Sequence, residues 1–285
     1  MNTALSQWRQ TLRSHAAFSA WFADNGAVLD EQWRPTIALQ AALRDAAASA
    51  SVPGYCWICQ APSRFLYDLQ YSNGHDVNWR ERLVCTGCGL NNRLRLTVQV
   101  IESEGLRGRG YLTEHVTPLA RLLRERFPGL VTSEYLGPGY APGQVSRKGI
   151  RHEDLRGLSL ADAGTDFVVS CDVLEHIADY GAALRELARI LVPGGLALIT
   201  VPFLLHAADN LVRARLEDGQ VVHLLEPEYH GDPVGGQGVL CYYHFGWQLL
   251  EDLRHAGFAD AWLDLYWSAD YGNLGGPQVF VMARR

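Results

Sequence analysis

The chain has 285 residues, 48% of them hydrophobic and 20% charged, with a formal net charge of −6. That is a globular composition, long enough for one large domain or for one domain plus a small one. The acidity argues against nucleic acid as a partner, because phosphate binding needs a basic face. No run of 18 apolar residues is present to span a membrane. The opening MNTALSQWRQTLRSH lacks a basic start followed by an apolar core, so no secretory leader is expected and a cytoplasmic address follows.

Residues 1–50 read as a helical N-terminal segment. Leu5, Trp8 and Leu12, then Phe18, Trp21 and Phe22, recur at helical spacing. Asn25-Gly26 is expected to break the first helix, and Pro35 to begin or precede the next, which carries Ile37, Leu39 and Leu43. Trp8, Trp21 and Trp33 are a large aromatic payload, suited to a cap or lid on the body of the protein or to a homodimer contact.

Val52-Pro53-Gly54 marks a boundary, and residues 51–109 change character. Cys56-Trp57-Ile58-Cys59 and Cys85-Thr86-Gly87-Cys88 stand 25 residues apart. Two such hairpins can place four thiolates at the corners of a tetrahedron, the preference of Zn²⁺. Redox dithiols and plain buried cysteines are the alternatives. Four thiolates close the coordination shell, so the ion expected is structural, supporting a small zinc-ribbon-like module that could not stabilise itself. Phe65-Leu66-Tyr67-Asp68-Leu69 suits a strand in the spacer and Ser72-Asn73-Gly74 a turn. Arg80, Arg82, Arg93, Arg95, Arg107 and Arg109 cluster locally and read as the solvated face of this module.

Residues 110–285 read as an α/β body. Gly110 to Thr113 is a short strand, followed by a helix with Val116, Leu119, Ala120, Leu123 and Phe127 on one side. Leu130 to Tyr135 is a second strand, residues 137–149 with four Gly and two Pro a loop, and Ile150 to Leu155 a third strand. Phe167-Val168-Val169-Ser170 suits a strand buried on both faces. Ile177, Tyr180, Leu184, Leu187 and Leu191 then recur at the helical period until Pro193-Gly194-Gly195 stops the helix. Leu196 to Val201 is the next buried strand, which makes a right-handed parallel crossover. Trp247 to Ala256 is a helix capped by Gly257, and Ala261 to Trp267 with Pro277 to Ala283 forms a closing antiparallel pair.

Asp166-Phe167 before the buried strand, Asp172-Val173-Leu174-Glu175-His176 after it, and Leu191-Val192-Pro193-Gly194-Gly195 before the next resemble the fourth and fifth strands of class I S-adenosylmethionine-dependent methyltransferases, in their small-molecule branch. The resemblance implies a Rossmann-like αβα sandwich with a seven-stranded mixed sheet and the closing strand pair at one edge. It implies a ligand beyond the carboxyl ends of the strands. There Glu134, beside Tyr135, would face the ribose hydroxyls, and Asp154 the adenine amino group, with Leu155 against the ring. Cys171 and Asp172 would lie under the adenosine or face the sulfonium. Thr113 and Glu114 would lie toward the methionine part. One turn departs from the family: Tyr111 to Pro118 contains no glycine, where the family brings backbone close to the cofactor. A rearranged S-adenosylmethionine pocket, a pocket for another nucleotide-like ligand and a fold without the cofactor are the three readings.

Residues 203–245 form an insertion expected to cover the substrate. It holds His206, His223, His230 and His244 among Glu226, Glu228, Tyr229 and Asp232. Methyl transfer requires an aligned nucleophile and, for a hydroxyl or ammonium, a base. His230 and His206 are the first candidates, and His176 sits on the cofactor side. A second metal site from His223, His230 and Asp232 has no recognised spacing. The function expected is methylation of an O or N atom of a small molecule in a biosynthetic pathway. A zinc-bearing scaffold with an inactive body and a nucleic-acid methyltransferase are the other classes.

Overall fold

A computed structural model describes residues 5–46, 49–72, 76–231, 234–236 and 238–285. Asn73, Gly74 and Asp232 lie outside the described residues. The chain divides into two compact units, one of Met1–Thr11, Ser19–Gly105 and Asp264–Val279, the other of Leu12–Phe18, Leu106–Leu263 and Phe280–Arg285.

The first unit opens with strand β1 (Trp8–Leu12), where helical spacing suggested a helix. The extended form has a reason. Residues 9 and 11 share one side of a strand, and both reach the fully buried carboxylate of Asp264. Arg9 Nη2 lies 2.7 Å from Oδ2, and Thr11 Oγ1 donates to Oδ1. Helix α1 (His15–Ala46) runs through both expected breaks, with Pro35 inside it. Asn25 turns its amide onto the Trp21 carbonyl at 2.8 Å. Tertiary packing outweighs the local breakers: Trp8 meets Trp21 at 6.0 Å and Trp33 at 5.4 Å, and Trp33 meets Trp267 at 6.4 Å.

Strands β2 (Ser49–Cys56) and β3 (Ala61–Asp68), the single turn α2 (Trp79–Arg82), β4 (Val84–Cys85) and helix α3 (Asn92–Ser103) follow. β2, β3 and β4 form a three-stranded antiparallel sheet. Its core centres on Phe65, which is fully buried with Tyr67, Trp79, Leu83 and Leu274. Phe65 lies so close to two backbones that a Cβ on Gly54 would stand 2.7 Å from the ring and one on Gly272 2.5 Å from it. Arg95 is not solvated as its neighbours in sequence suggested. It is 2% exposed, its guanidinium 4.0 Å above the Phe65 ring, donating to the carbonyls of Tyr271 (2.7 Å) and Gly272 (3.0 Å).

The second unit contains β5 (Gly110–Leu112), α4 (Pro118–Arg126), β6 (Val131–Thr132), β7 (Thr165–Cys171), a 3₁₀ turn at Leu174–His176, α5 (Tyr180–Ile190) and β8 (Leu191–Thr200). Short strands β9 (Leu211–Val212), β10 (Ala214–Glu217), β11 (Gln220–His223), β12 (Tyr229–His230), β13 (Val239–Leu240) and β14 (Tyr243–His244) fill the insertion. Its two ends meet in a parallel bridge between Phe203 and Phe245. Helix α6 (Gln248–His255) and strands β15 (Asp260–Ser268) and β16 (Asn273–Arg284) close the chain, both strands running through the two units.

The main sheet has seven strands in the order β1-β15-β16-β8-β7-β5-β6. β6, β5, β7 and β8 are mutually parallel, and β16 is antiparallel to β8. The closing pair is therefore not the edge expected for it, because β1 lies outside β15. The expected third strand is reduced to a bridge between Glu134 and His152. Residues 145–151 instead fold back on themselves, Ser146 N bonding Ile150 O at 2.8 Å, with Gly149 at φ +77°. Pro193-Gly194-Gly195 is not a free turn but a bulge at the start of β8. Thr165 pairs Leu191 and Phe167 pairs Leu196, so three extra residues are accommodated, with Gly194 at φ +81°. Among the described residues no helix is long and apolar enough to cross a membrane.

Candidate functional site

Because β6, β5 and β7 are parallel neighbours, their carboxyl ends lie side by side. Thr113 follows β5 and donates to Ser170 Oγ at 3.1 Å. Glu134 follows β6, and its Oε1 accepts from the backbone N–H of His115 (2.7 Å) and Val116 (3.0 Å). The glycine-free turn thus closes on a carboxylate, with none of residues 113–118 at positive φ. Asp172 follows β7 at φ +53°, a conformation an L side chain adopts only when its surroundings hold it. Here Asp172 N donates to Thr200 O (2.8 Å), and Thr200 Oγ1 to Asp172 Oδ1 (3.1 Å). Cys171 beside it is buried. Asp154 is gripped by Arg156, Nη2 to Oδ2 at 2.6 Å, which holds its carboxyl below the usual range. Leu155 is buried, while Tyr135 is exposed with its ring 5.4 Å from that of His152.

His115 shapes the turn from its side chain as well. Its Nδ1 lies 2.8 Å from Thr132 Oγ1, and Arg124 donates to its carbonyl at 2.9 Å. Burial, then the Arg124 charge, pulls its pKa below the ordinary histidine value. A depressed pKa means stability that is complete above the unfolded value and lost as pH falls through it toward the folded one. NMR titration should find His115 titrating below an unstructured histidine, and Arg124→Ala should move it upward. An unmoved midpoint would exclude the Arg124 charge as a cause.

The predicted histidines separate. His206 stands edge-on to Phe18, ring centroids 5.1 Å apart. His223 is exposed at the end of the β10–β11 hairpin, and Asp232 lies outside the described residues. His176 and His230 meet edge to face at 4.9 Å. Between them lies a residue singled out only as part of the sequence motif, Glu175, whose side chain is fully buried with Oε1 3.8 Å from His176 Nε2 and 3.6 Å from His230 Nδ1. Burial pushes Glu175 up, against the pull of His230. His230 Nε2 and His244 Nε2 both reach Glu228 Oε1, at 2.9 and 3.0 Å, and Arg213 lies 3.2 Å from Oε2. Burial works against the Glu228 charge, yet the two histidines leave its pKa below the usual value. Cys241 first, then Glu175 and Glu228, hold His230 up to about 11. Cys241 was also missed; its only signal in the sequence was a cysteine outside the two pairs.

In the first unit the four paired cysteines converge. Cys56 Sγ is 3.8 Å from Cys88 Sγ, Cys59 Sγ is 3.9 Å from Cys85 Sγ, and all four lie within 4.8 Å of one another. Zn–S bonds of about 2.3 Å span a tetrahedron with edges of about 3.8 Å, so this donor set fits the ion. The loop is shaped to the sulfurs: Gly87 N donates to Cys85 Sγ at 3.3 Å, and a Cβ on Gly87 would stand 2.8 Å from Cys59 Sγ.

Residues 132–199 match a family model described as a methyltransferase domain. A Mycolicibacterium smegmatis protein named "Probable S-adenosylmethionine-dependent methyltransferase" is 35% identical over 95 residues, 33% of this chain and 35% of that one. The chain therefore matches about a third of the curated relative's length. Among solved structures, an S-adenosylmethionine-dependent methyltransferase from Mesorhizobium loti is 18% identical, over 62% of this chain and 90% of that one, with a TM-score of 0.41. The 1,6-didemethyltoxoflavin-N1-methyltransferase of Burkholderia thailandensis is also 18% identical, over 67% and 77%, with a TM-score of 0.37. The family match spans β6 to β8 and includes Glu134, Asp154, Asp172 and Glu175. With the strand order, it makes the fold the Rossmann-like one of methyltransferases, built on a seven-stranded mixed sheet.

Proposed function

We propose that the chain is an S-adenosylmethionine-dependent methyltransferase acting on an oxygen or nitrogen atom of a small molecule in a biosynthetic pathway, and that its four-cysteine module holds a structural zinc ion. One observation carries the enzymatic reading. The matched segment 132–199 brings its acidic residues Glu134 and Asp172 to the carboxyl ends of β6 and β7, the two parallel strands that flank β5, where ligands of such sheets bind. S-adenosylmethionine supplies a sulfonium methyl group to a nucleophile. Glu134 would take a ribose hydroxyl on the oxygen not occupied by the turn, Asp154 the adenine amino group, and Leu155 the ring. Thr113, Glu114, Tyr135, Cys171 and Asp172 would complete the wall. The fit lies in donor chemistry: carboxylates accept from hydroxyl and amino groups. The turn differs from a glycine-rich one because Glu134 tethers it.

Calorimetric titration with S-adenosylmethionine and S-adenosylhomocysteine tests this reading. Wild-type protein should bind both, and Glu134→Ala should weaken binding about tenfold or more, the worth of a hydrogen bond to a charged group. No binding of either compound at millimolar concentration would sink the methyltransferase reading. It would favour a zinc-bearing binding protein, for which the engaged Glu134 and the glycine-free turn speak.

A further inference from the structure

We propose that Glu175, His176 and His230 form a site for a divalent transition-metal ion, with a coordination position left for water or another oxygen ligand. The inference rests on these side chains and not on the methyltransferase reading. Glu175 is fully buried, and neither carboxylate oxygen has a hydrogen-bond partner among the described residues. An isolated carboxylate in such a place is strongly disfavoured unless a cation meets it. Two imidazole nitrogens face the same oxygen at 3.6 and 3.8 Å, too far for hydrogen bonds but close to the spacing of two ligands on one ion. All three donor atoms lie within 4.8 Å of one another. Bonds of about 2.0–2.2 Å to nitrogen and oxygen separate neighbouring donors by roughly 3–3.6 Å.

The outer hydrogen bonds decide which nitrogens are available. His176 Nδ1 lies 2.9 Å from the carbonyl oxygen of Leu240, which can only accept, so Nδ1 carries the proton and Nε2 turns a lone pair toward Glu175. His230 Nε2 lies 2.9 Å from the Glu228 carboxylate and donates there, so Nδ1 is the nitrogen that faces Glu175. With both facing nitrogens deprotonated, two lone pairs and a carboxylate converge on one point with nothing positive on it, an arrangement that repels itself until a cation is present. Metal-bound histidines are oriented in this way, with the second nitrogen donating to a carbonyl or a carboxylate. The scaffold holds the donors in place. Glu175 and His176 are consecutive in the 3₁₀ turn after β7, and Tyr242 N donates to the Glu175 carbonyl at 2.7 Å. His230 in β12 pairs with β13, the strand that supplies Leu240.

Cys241 and Glu228 also come near His230, but they suit the outer shell better. Glu228 is already shared by His244 and Arg213, and the Cys241 thiol donates to Tyr243 O at 3.2 Å. Two imidazoles and one carboxylate select borderline divalent ions such as Zn²⁺, Fe²⁺ or Co²⁺ and leave coordination positions open.

The test titrates metal-stripped full-length protein with Co²⁺ under anaerobic conditions. Two equivalents should bind. One gives the intense thiolate-to-cobalt absorption of the cysteine module, and the other adds only the weak visible bands of a nitrogen–oxygen site. Glu175→Gln and His230→Gln should each abolish the second equivalent and leave the thiolate band intact, and zinc content by mass spectrometry should fall from two per chain to one. The more exposed His230 position guards against a folding defect at buried Glu175. Saturation of the wild type by the thiolate site alone, or two equivalents retained in both variants, would overturn the proposal. If the thiolate band never forms while the Glu175-dependent equivalent remains, the cysteine reading fails and this one stands.

Discussion

Cys85→Ser is expected to strip the module of its zinc and, with it, of its fold. Cys85 ends a strand of two residues, and among the described residues the only helical element between β3 and β4 is one turn. The core around Phe65, Tyr67 and Trp79 is small for the loops it must hold. A structural zinc ion contributes roughly 10–16 kcal/mol of apparent binding energy at neutral pH, comparable to or larger than the whole stability of an ordinary domain. Serine supplies neither a thiolate nor the Cys85 Sγ acceptor that Gly87 N uses. Hydrogen exchange should show residues 49–105 unprotected in the variant while β5, β7 and β8 keep their protection. Mass spectrometry should find one zinc fewer. Cys171→Ser, at a cysteine outside the module, is the control and should keep the full zinc content. Native protection of residues 49–105 in Cys85→Ser would show that the four sulfurs merely pack.

What could be read in the sequence follows from what acts locally. β7 and β8 are buried on both faces, so their apolar runs are unbroken, and α5 shows the helical period because only one face is covered. The paired cysteines carry their own geometry in their spacing. The remainder depended on distant partners. β1 is extended because Asp264 lies across from Arg9 and Thr11, more than 250 positions away. Arg95 looked like surface charge and is buried by backbone carbonyls at 271 and 272. Glu134 was legible as an acid at a strand end, but its role in closing the glycine-free turn appears only once His115 and Val116 are seen to donate to it. Glu175 was read as part of a strand-end motif. Its meaning changes when His230, folded back by the insertion, arrives beside it.

Arg95→Met should destabilise the zinc-loaded protein by about 3–5 kcal/mol, the usual cost of breaking a buried charge arrangement, and the metal-stripped protein by much less. Methionine keeps most of the apolar stem over Phe65 but removes the donors to the carbonyls of Tyr271 and Gly272. It also removes the positive charge. Burial pulls the Arg95 pKa down, to about 10 even with the charges of the nearby cysteines opposing that pull. The guanidinium is therefore poorly accommodated unless the cysteines are ionised. Zinc binding ionises them: one divalent ion and four thiolates leave a net charge of about −2, which a buried cation offsets. Urea denaturation followed by tryptophan fluorescence, with and without zinc, measures the difference between the two costs. Arg95→Lys should fall between wild type and Arg95→Met, since it keeps the charge but loses the fork that spans two carbonyls. Equal costs of Arg95→Met with and without zinc would mean that Arg95 serves only the carbonyls. A larger cost with zinc for Arg95→Met than for Arg95→Lys, which keeps the charge, would make it the counter-charge of the metal centre, coupling the packing of α3 to metal content.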